Sequence, residues 1–163
     1  MQFYIVRRES QGYLAVMPHP DAAQLPEQVA GLRRRGVAVL VSLLQTHERD
    51  SLGLADTGHL CARQGIEYLS HPVEDLQVPT DSEAFAKLAL ALKDRLLAGT
   101  GIAIHCRAGI GRSGLLAASV LVACGFTPAE AFAEISAARG ASVPEVPAQG
   151  LWLQRHRKLL VLG

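Results

Sequence analysis

The chain has 163 residues, of which 49% are hydrophobic and 19% are charged, and its formal net charge at pH 7 is +1. This composition excludes a disordered chain, because such chains have few apolar residues and a high net charge. We expect one domain over residues 1–163, since the length suits a single hydrophobic core. The near-neutral charge gives no electrostatic reason to expect nucleic acid or an anionic membrane as the main partner.

Cysteine usage and the first residues indicate a cytoplasmic location. The three cysteines, Cys61, Cys106 and Cys124, form no CxxC pair, which argues against a disulfide framework and a structural zinc site. The first ten residues lack the features of a signal peptide. The longest apolar runs are shorter than the roughly 20 residues that span a bilayer. We expect a cytoplasmic monomer with no membrane insertion.

The first half of the chain predicts helices that alternate with strands. Proline near the start, cations in the last turn and a closing glycine indicate the first helix. We expect a helix over 26–36, a buried strand over 37–44, a helical segment over 51–65, a strand over 66–73 that ends at His71 and Pro72, and a loop over 74–81.

The second half continues the alternation. Capping signals at Asp81 or Ser82 and at Thr127 precede two apolar-periodic runs that glycines close. We expect a helix over 82–99, a short buried strand over 101–105, and helices over 113–125, 127–140 and roughly 147–161. The pattern predicts an α/β fold with a central, mainly parallel sheet flanked by helices. The turn after 101–105 is then at the carboxyl end of a middle strand, where such folds bind ligands.

That turn lies in the stretch IHCRAGIGRSG, residues 104–114, which has the composition of an anion site. Gly109 and Gly111 tolerate the positive φ values that let successive backbone amides curl around one point. A helix that begins near Arg112 adds unpaired amides and the positive end of its dipole. We expect a tetrahedral dianion to bind the amides of the following residues: Arg107, Ala108, Gly109, Ile110 and Gly111.

The same stretch places a nucleophile beside the anion site. A helix N-terminus and a neighbouring guanidinium favour the thiolate form of a cysteine such as Cys106. The guanidinium of Arg112 can bind two phosphate oxygens and counter transition-state charge. Ser113 can donate a hydrogen bond to the sulfur, which makes it a better leaving group. For His105 we expect a buried side chain bonded to backbone rather than a general base.

This stretch resembles the signature of the cysteine-dependent protein tyrosine phosphatases, H-C-x5-R followed by Ser or Thr, and every fixed position is present. The resemblance is to the compact dual-specificity type, similar to the cyclin-dependent-kinase-associated and Cdc14-like branch. It implies that fold and a two-step hydrolysis of phosphate monoesters through a cysteinyl-phosphate, with no metal and no cofactor. Cys106 and Arg112, with Ser113, are then catalytic.

Members of this superfamily carry a general acid about 30 residues before the cysteine. The stretch HPVEDLQVPTD occupies that place, and Asp75 matches the family aspartate in its P-x-x-D-x-x-x-P setting. The resemblance therefore implies that Asp75 is the general acid. Glu74 and Asp81 remain alternatives, because any carboxylate on a mobile loop can approach the site.

Resemblance to the Cdc14-like branch also implies roles for Gln149 and Glu48. Gln149 matches a glutamine that positions the hydrolytic water, although a glutamine in the first turn of a helix is commonly a surface residue. Glu48 lies where the family often has an acidic residue that orients the signature arginine, although it also fits an ordinary surface glutamate. A protective disulfide to Cys106 from Cys61 or Cys124 is known in several phosphatase branches, but a small buried hydrophobe is the ordinary explanation for both cysteines.

Other functions remain open alternatives. A rhodanese-like sulfurtransferase also has a cysteine at the head of an anion loop, and a catalytically dead relative binds phosphate without cleaving it. A nucleotide-binding loop is excluded, because no Gly-Lys-Ser/Thr follows the glycines. The resemblance implies a substrate that is a phosphorylated protein or a small phosphate ester. Arg107 inside the loop is a slight indication of an inositol phosphate or phosphoinositide.

Overall fold

The computed structural model describes residues 1–161, which form five strands and seven helices. The strands are β1 (Tyr4–Glu9), β2 (Gly12–Met17), β3 (Val37–Ser42), β4 (Glu67–Ser70) and β5 (Gly101–His105). The helices are α1 (Leu25–Arg34), α2 (Thr46–Ser51), α3 (Thr57–Arg63), α4 (Ser82–Leu97), α5 (Arg112–Ala123), α6 (Pro128–Arg139) and α7 (Pro147–Val161). Of the helices that these residues form, none combines the length and the apolar character needed to cross a membrane.

The strands form one sheet in the order β1-β2-β5-β3-β4. Strands β2, β5, β3 and β4 are parallel, and β1 pairs antiparallel with β2 at one edge. The expected mainly parallel sheet is therefore confirmed, with β5 in its middle. The antiparallel edge was not foreseen, because nothing in the first ten residues separates a hairpin strand from an extended terminus.

Two hydrophobic cores cover the two faces of the sheet. Side chains along a strand alternate between faces, so Ile102 and Ile104 of β5 join the core that helices α4 to α7 complete. Ala103 points the other way, into the core shared with α1 and α3. The expected layer of helices on each side of the sheet is thus present.

Helix α5 lies at the centre of the larger helical layer and packs against α4, α6 and α7. Every residue from Arg112 to Val122 is buried, as expected for a helix that is apolar on all sides. The connection from β5 to α5 lies at the carboxyl end of the middle strand, as predicted. This geometry aims the N-terminus of a buried helix at that connection.

The helix boundaries agree best with those expected from the sequence where a side chain caps the helix. Asp81 accepts a hydrogen bond from the Ala84 amide at 3.0 Å and begins α4, and Thr127 forms a capping box with Glu130 at the start of α6. The prediction of one helical segment over 51–65 was wrong. Helix α2 ends at Ser51 and α3 begins at Thr57, because Gly53 adopts a left-handed conformation with φ of 73°. Strand β4 also ends before His71.

Candidate active site

The connection between β5 and α5, residues 106–111, is called the anion loop here. Its first residue, Cys106, is only 3% exposed. The Cys106 Sγ atom lies 2.8 Å from the hydroxyl oxygen of Ser113, in the first turn of α5. Sequence reasoning predicted this pairing. A hydroxyl at this distance can donate to an anionic sulfur.

Gly109 gives the anion loop its curvature. Its φ of 75° lies in the left-handed region, where a side chain is strained. A Cβ on this residue would also lie 2.5 Å from the carbonyl carbon of Met17, at the end of β2. Both observations require glycine here. The close approach to β2 fixes the back of the loop against the sheet.

Each carbonyl of the anion loop accepts a hydrogen bond. The donor pairs are His105 Nδ1 with Cys106 O at 3.1 Å, His19 N with Arg107 O at 3.2 Å, Arg139 Nη2 with Ala108 O at 3.0 Å, Arg139 Nε with Gly109 O at 3.3 Å, Gly114 N with Ile110 O at 3.1 Å, and Leu115 N with Gly111 O at 2.9 Å. In a trans peptide the N–H points opposite to the C=O. These six bonds therefore orient the six amides that follow.

The amides of residues 107–112 find no acceptor among residues 1–161. A run of six unpaired N–H groups around one turn, at the start of a helix, indicates an anion site. The first turn of α5 supplies the last of them and adds its positive dipole end. The arrangement can bind several oxygens of one tetrahedral anion beside Cys106.

Arg112 is held by a buried carboxylate. Its Nη1 and Nη2 atoms donate to the two oxygens of Glu48 at 2.7 and 3.0 Å, and Nη1 also donates to the carbonyl of Val73 at 2.8 Å. Glu48 is 2% exposed, so its interpretation as a surface glutamate is wrong. The bidentate pair fixes the plane of the guanidinium. The Nε atom of Arg112 is buried and has no partner among the described residues.

The groups around Glu48 determine its protonation state. Burial favours the neutral acid, but hydrogen bonds from Arg112 and from the Gln45 amide, with the charges of Arg112 and Arg107, outweigh it and lower the pKa of Glu48. Burial also acts on Arg112, yet the same carboxylate raises the pKa of its guanidinium. Both groups are therefore ionised at neutral pH.

Asp75 lies on the segment between β4 and α4, residues 71–80, called the acid loop here. Its Oδ1 atom is 3.2 Å from Nη2 of Arg112, and its side chain is 48% exposed. Sequence reasoning placed this carboxylate at the site, and the structure brings it there. A cleft of about 270 Å³ lies beside it. The cleft is lined by Gln45, His47, Glu48, Glu74, Asp75 and Arg107.

The two rival carboxylates differ in position. Glu74 lines the same cleft but forms no ion pair with Arg112 among the described residues. Asp81 is occupied as the N-cap of α4. Arg107 is half-exposed, and its Nε atom lies 3.6 Å from Glu48. The cleft is therefore lined by acidic groups and by a cation of the anion loop.

Gln149 lies in the first turn of α7 and is 1% exposed, so its interpretation as a surface residue is wrong. Its Oε1 accepts from the Val146 amide at 3.4 Å, while its Nε2 has no partner among the described residues. A Cβ on Gly111 would lie 3.1 Å from that Nε2 and would also meet the Glu145 carboxylate. Both side chains therefore border the anion loop. Sequence reasoning missed Glu145, which has no distinctive motif.

His105 is buried, as expected, and its Nδ1 donates to the carbonyl of Cys106. Burial, opposed by that hydrogen bond, lowers the pKa of His105 to about 4. The ring is therefore neutral at pH 7 and acts as a fixed donor behind the loop. This agrees with a supporting role rather than a general base.

All three cysteines are free. Cys61 is fully buried in α3, where burial raises the pKa of its thiol to about 11. Cys124 is half-buried at the end of α5. Within residues 1–161 the structure brings together no group of three or more His, Cys, Asp or Glu side chains that could hold a metal ion.

The chain is similar in sequence to known proteins. Residues 15–126 match the Tc-R-P family, described as a DSP-PTPase phosphatase of polymorphic toxin systems. A presumed tyrosine phosphatase, protein 067L of Invertebrate iridescent virus 3, is 33% identical over 98 residues, or 58% of this chain. The match covers 38% of the viral protein, so the chain spans less than half of that relative.

Solved structures show the same fold. Kinase associated phosphatase (KAP), in a form whose catalytic-site cysteine is replaced by serine, superimposes with a TM-score of 0.82 at 20% identity, covering 99% of this chain and 97% of KAP. PTPMT1 in complex with PI(5)P gives a TM-score of 0.78 at 20% identity, over 98% and 97% of the two chains. The fold expected from the resemblance is thus confirmed. With a family match over 15–126, the chain belongs to the DSP-PTPase phosphatases.

Proposed function

We propose that this protein hydrolyses phosphate monoesters of phosphorylated proteins, phosphotyrosine and also phosphoserine or phosphothreonine, through a cysteinyl-phosphate intermediate. The observation that carries the proposal is the anion loop, in which six unpaired amides follow a cysteine whose sulfur contacts a hydroxyl. A phosphoryl group bound there has Cys106 in line for attack. Arg107, Ala108, Gly109, Ile110 and Gly111 bind it through their amides.

In the first step, the Cys106 thiolate attacks phosphorus. The S–P bond forms and the bond from phosphorus to the ester oxygen breaks. The loop amides and Arg112 bind the equatorial oxygens, whose charge they stabilise in the transition state. The unpartnered Nε of Arg112 supports this role, since it is a buried donor without an acceptor among the described residues.

Asp75 gives its proton to the leaving oxygen in that step. Its contact with Nη2 of Arg112, at 3.2 Å, is one that a phosphoryl oxygen can take over. Binding of the ester therefore releases the Asp75 side chain from Arg112, beside the leaving oxygen.

In the second step, water attacks the phosphorus of the cysteinyl-phosphate. Asp75, now ionised, takes a proton from the water, the new P–O bond forms and the P–S bond breaks. Ser113 donates its hydroxyl proton in a hydrogen bond to the departing sulfur, from 2.8 Å. The buried, unpartnered side-chain amide of Gln149, beside Gly111, supports a role for this residue in holding that water. Inorganic phosphate and the thiolate are the products.

A second substrate class is an inositol phosphate or phosphoinositide, cleaved by the same steps. Arg107 favours it, because this half-exposed cation lines the cleft beside Asp75 and can bind a further phosphate. The structural similarity to PTPMT1 shows only the fold. A panel of phosphopeptides and inositol phosphates compared by kcat/KM decides between the two classes.

We also propose that residues 1–163 form one catalytic domain that acts as a cytoplasmic monomer. A single sheet with both faces covered supports the single domain. Three free cysteines support a reducing compartment.

Turnover of para-nitrophenyl phosphate in excess EDTA tests the proposal. We expect full activity of the wild-type protein, because Arg112 and the amides supply the positive charge that other phosphatases obtain from metal ions. Cys106→Ser removes the nucleophile and should abolish turnover, while Cys124→Ser, the matched control at a half-buried position, should leave it intact. Activity that survives Cys106→Ser or is lost in EDTA contradicts the mechanism, and activity on thiosulfate instead indicates a sulfurtransferase. Binding of phosphate without turnover indicates a non-catalytic module.

A further inference from the structure

One side chain holds two consecutive peptide planes of the anion loop. Arg139, the last residue of α6, donates from Nη2 to the Ala108 carbonyl at 3.0 Å and from Nε to the Gly109 carbonyl at 3.3 Å. The other four carbonyls of the loop are bound by backbone amides or by the neighbouring His105 ring. Arg139 is thus the only charged group among residues 1–161 that bonds to these carbonyls.

The direction of these bonds has a chemical consequence. A carbonyl that points outward to Arg139 makes the amide of the same trans peptide point inward. The two amides concerned belong to Gly109 and Ile110. At Gly109, where φ is 75°, other backbone conformations are equally accessible to glycine. The guanidinium therefore selects the conformation in which both donors face the anion.

The guanidinium is itself fixed in place. It lies over the ring of Tyr4 in β1, with Cζ 4.3 Å from the ring centroid, which is a favourable cation–π geometry. Gly140 takes up a left-handed conformation directly after Arg139 and ends α6 there. The planar guanidinium presents donors on separate nitrogen atoms and can bond to two adjacent carbonyls, whereas the lysine ammonium is a compact point charge whose three N–H donors share one atom.

We infer that Arg139 is a positioning residue of the phosphatase reaction, which acts by presenting the amides of Gly109 and Ile110 to the phosphoryl group. The inference rests on the proposed function. It assigns a role to the outer surface of the anion loop, which contacts no substrate. A merely structural arginine would affect stability alone.

Binding of tungstate, a tetrahedral oxyanion, and turnover of para-nitrophenyl phosphate test the inference together. Arg139→Met keeps the apolar stem on Tyr4 but loses both donors, so we expect weaker tungstate binding and a lower kcat. The decrease in kcat should be about 10- to 100-fold, less than the roughly 100- to 1,000-fold for removal of an oxyanion donor, because the two amides remain in the loop. Arg139→Lys keeps the charge and one donor and should recover part of both. The matched control is Arg35→Met, since Arg35 lies over Phe3 at 5.1 Å and does not contact the loop.

The outcomes separate this inference from the proposed function. If the wild-type protein turns over substrate and Arg139→Met has the same kcat and the same tungstate affinity, the role of Arg139 is overturned and the proposed function is not. If the wild-type protein binds tungstate but does not turn over substrate, the proposed function is overturned. The tungstate affinities of the wild type, Arg139→Met and Arg139→Lys then still test the role of Arg139. A lower melting temperature in Arg139→Met with unaltered kcat and affinity shows a structural role and also overturns the inference. If Arg139→Met does not fold, Arg139→Lys gives the same comparison.

Discussion

The anion loop and the acid loop both converge on Arg112, yet they are built in opposite ways. All six carbonyls of the anion loop are bonded, and its cysteine is 3% exposed. In the acid loop, the amide of Val73 donates to the Leu43 carbonyl, but the side chain of Asp75 is half-exposed and forms an ion pair with Arg112 alone among the described residues. The binding loop is therefore preorganised before substrate arrives, whereas the acid is free to change partners. Electrostatic stabilisation needs the first property and proton transfer the second.

The largest effect should come from removing the proton donor of the acid loop. Asp75→Asn keeps the size of the side chain but cannot protonate the leaving oxygen, so we expect kcat to fall by about 100- to 1,000-fold. Tungstate affinity should stay the same or rise, because Arg112 loses a competing carboxylate. Steady-state kinetics and calorimetry measure the two. The matched control is Glu74→Gln, and loss of activity there with none in Asp75→Asn would move the acid to Glu74.

A smaller loss of activity is expected when Arg112, which both loops contact, loses its buried carboxylate partner. Glu48→Gln leaves Arg112 without its bidentate partner, so we expect about 10-fold lower kcat/KM and a free energy of unfolding lower by about 3 kcal/mol, the cost of breaking a buried ion pair. Urea denaturation and kinetics measure these changes. Glu67→Gln is the control, since its ion pair with Arg95 is exposed. Equal effects of the two substitutions would show that Glu48 does not orient Arg112.

The pH dependence of stability should reveal the buried histidine behind the anion loop. The pKa of His105 is about 4 in the folded protein and 6.5 in its ordinary state, so the unfolded chain binds more protons between these values. Stability should fall as the pH drops from 6.5 towards 4, by about 3 kcal/mol at most from this group.

Urea denaturation at pH 7 and pH 5 measures this fall. His105→Asn should reduce it, while His59→Asn, at an exposed position, should not. His71, whose pKa burial also lowers, contributes in the same direction, so some dependence should remain. An identical pH dependence in wild type and His105→Asn would contradict the buried neutral ring.

The smallest effect should come from the backbone of the acid loop. Leu76 has φ of 63° and is 49% exposed, so a residue with a large side chain occupies a left-handed conformation without burial to compensate. Leu76→Asn should raise the free energy of unfolding by about 0.5 kcal/mol, because Asn tolerates this conformation. Thermal denaturation measures it. Destabilisation would show that the leucine side chain stabilises the loop.

Local and long-range contacts differ in how far the sequence could predict them. The chemistry of the anion loop is local, so Cys106, Ser113 and Gly109 could be interpreted together, and caps such as Thr127 set helix boundaries. Gly111 does not use the positive φ that the sequence suggested, because its φ is −74° at the start of α5. The contact of Glu48 with Arg112 joins residues 64 positions apart, so no local pattern distinguishes Glu48 from a surface glutamate, and only the family resemblance suggested the contact. Arg139 resembles an ordinary cation in the last turn of a helix. Its bonds to the loop depend on how α6 packs beside β1.

Backbone amide NMR during a titration with tungstate tests the central claim most directly. If the six amides after Cys106 bind the anion, the N–H signals of residues 107–112 should shift together and saturate at one affinity, with Gly109 and Gly111 among the most affected. The result that would contradict the account is saturable tungstate binding that shifts amides elsewhere and leaves these six unchanged.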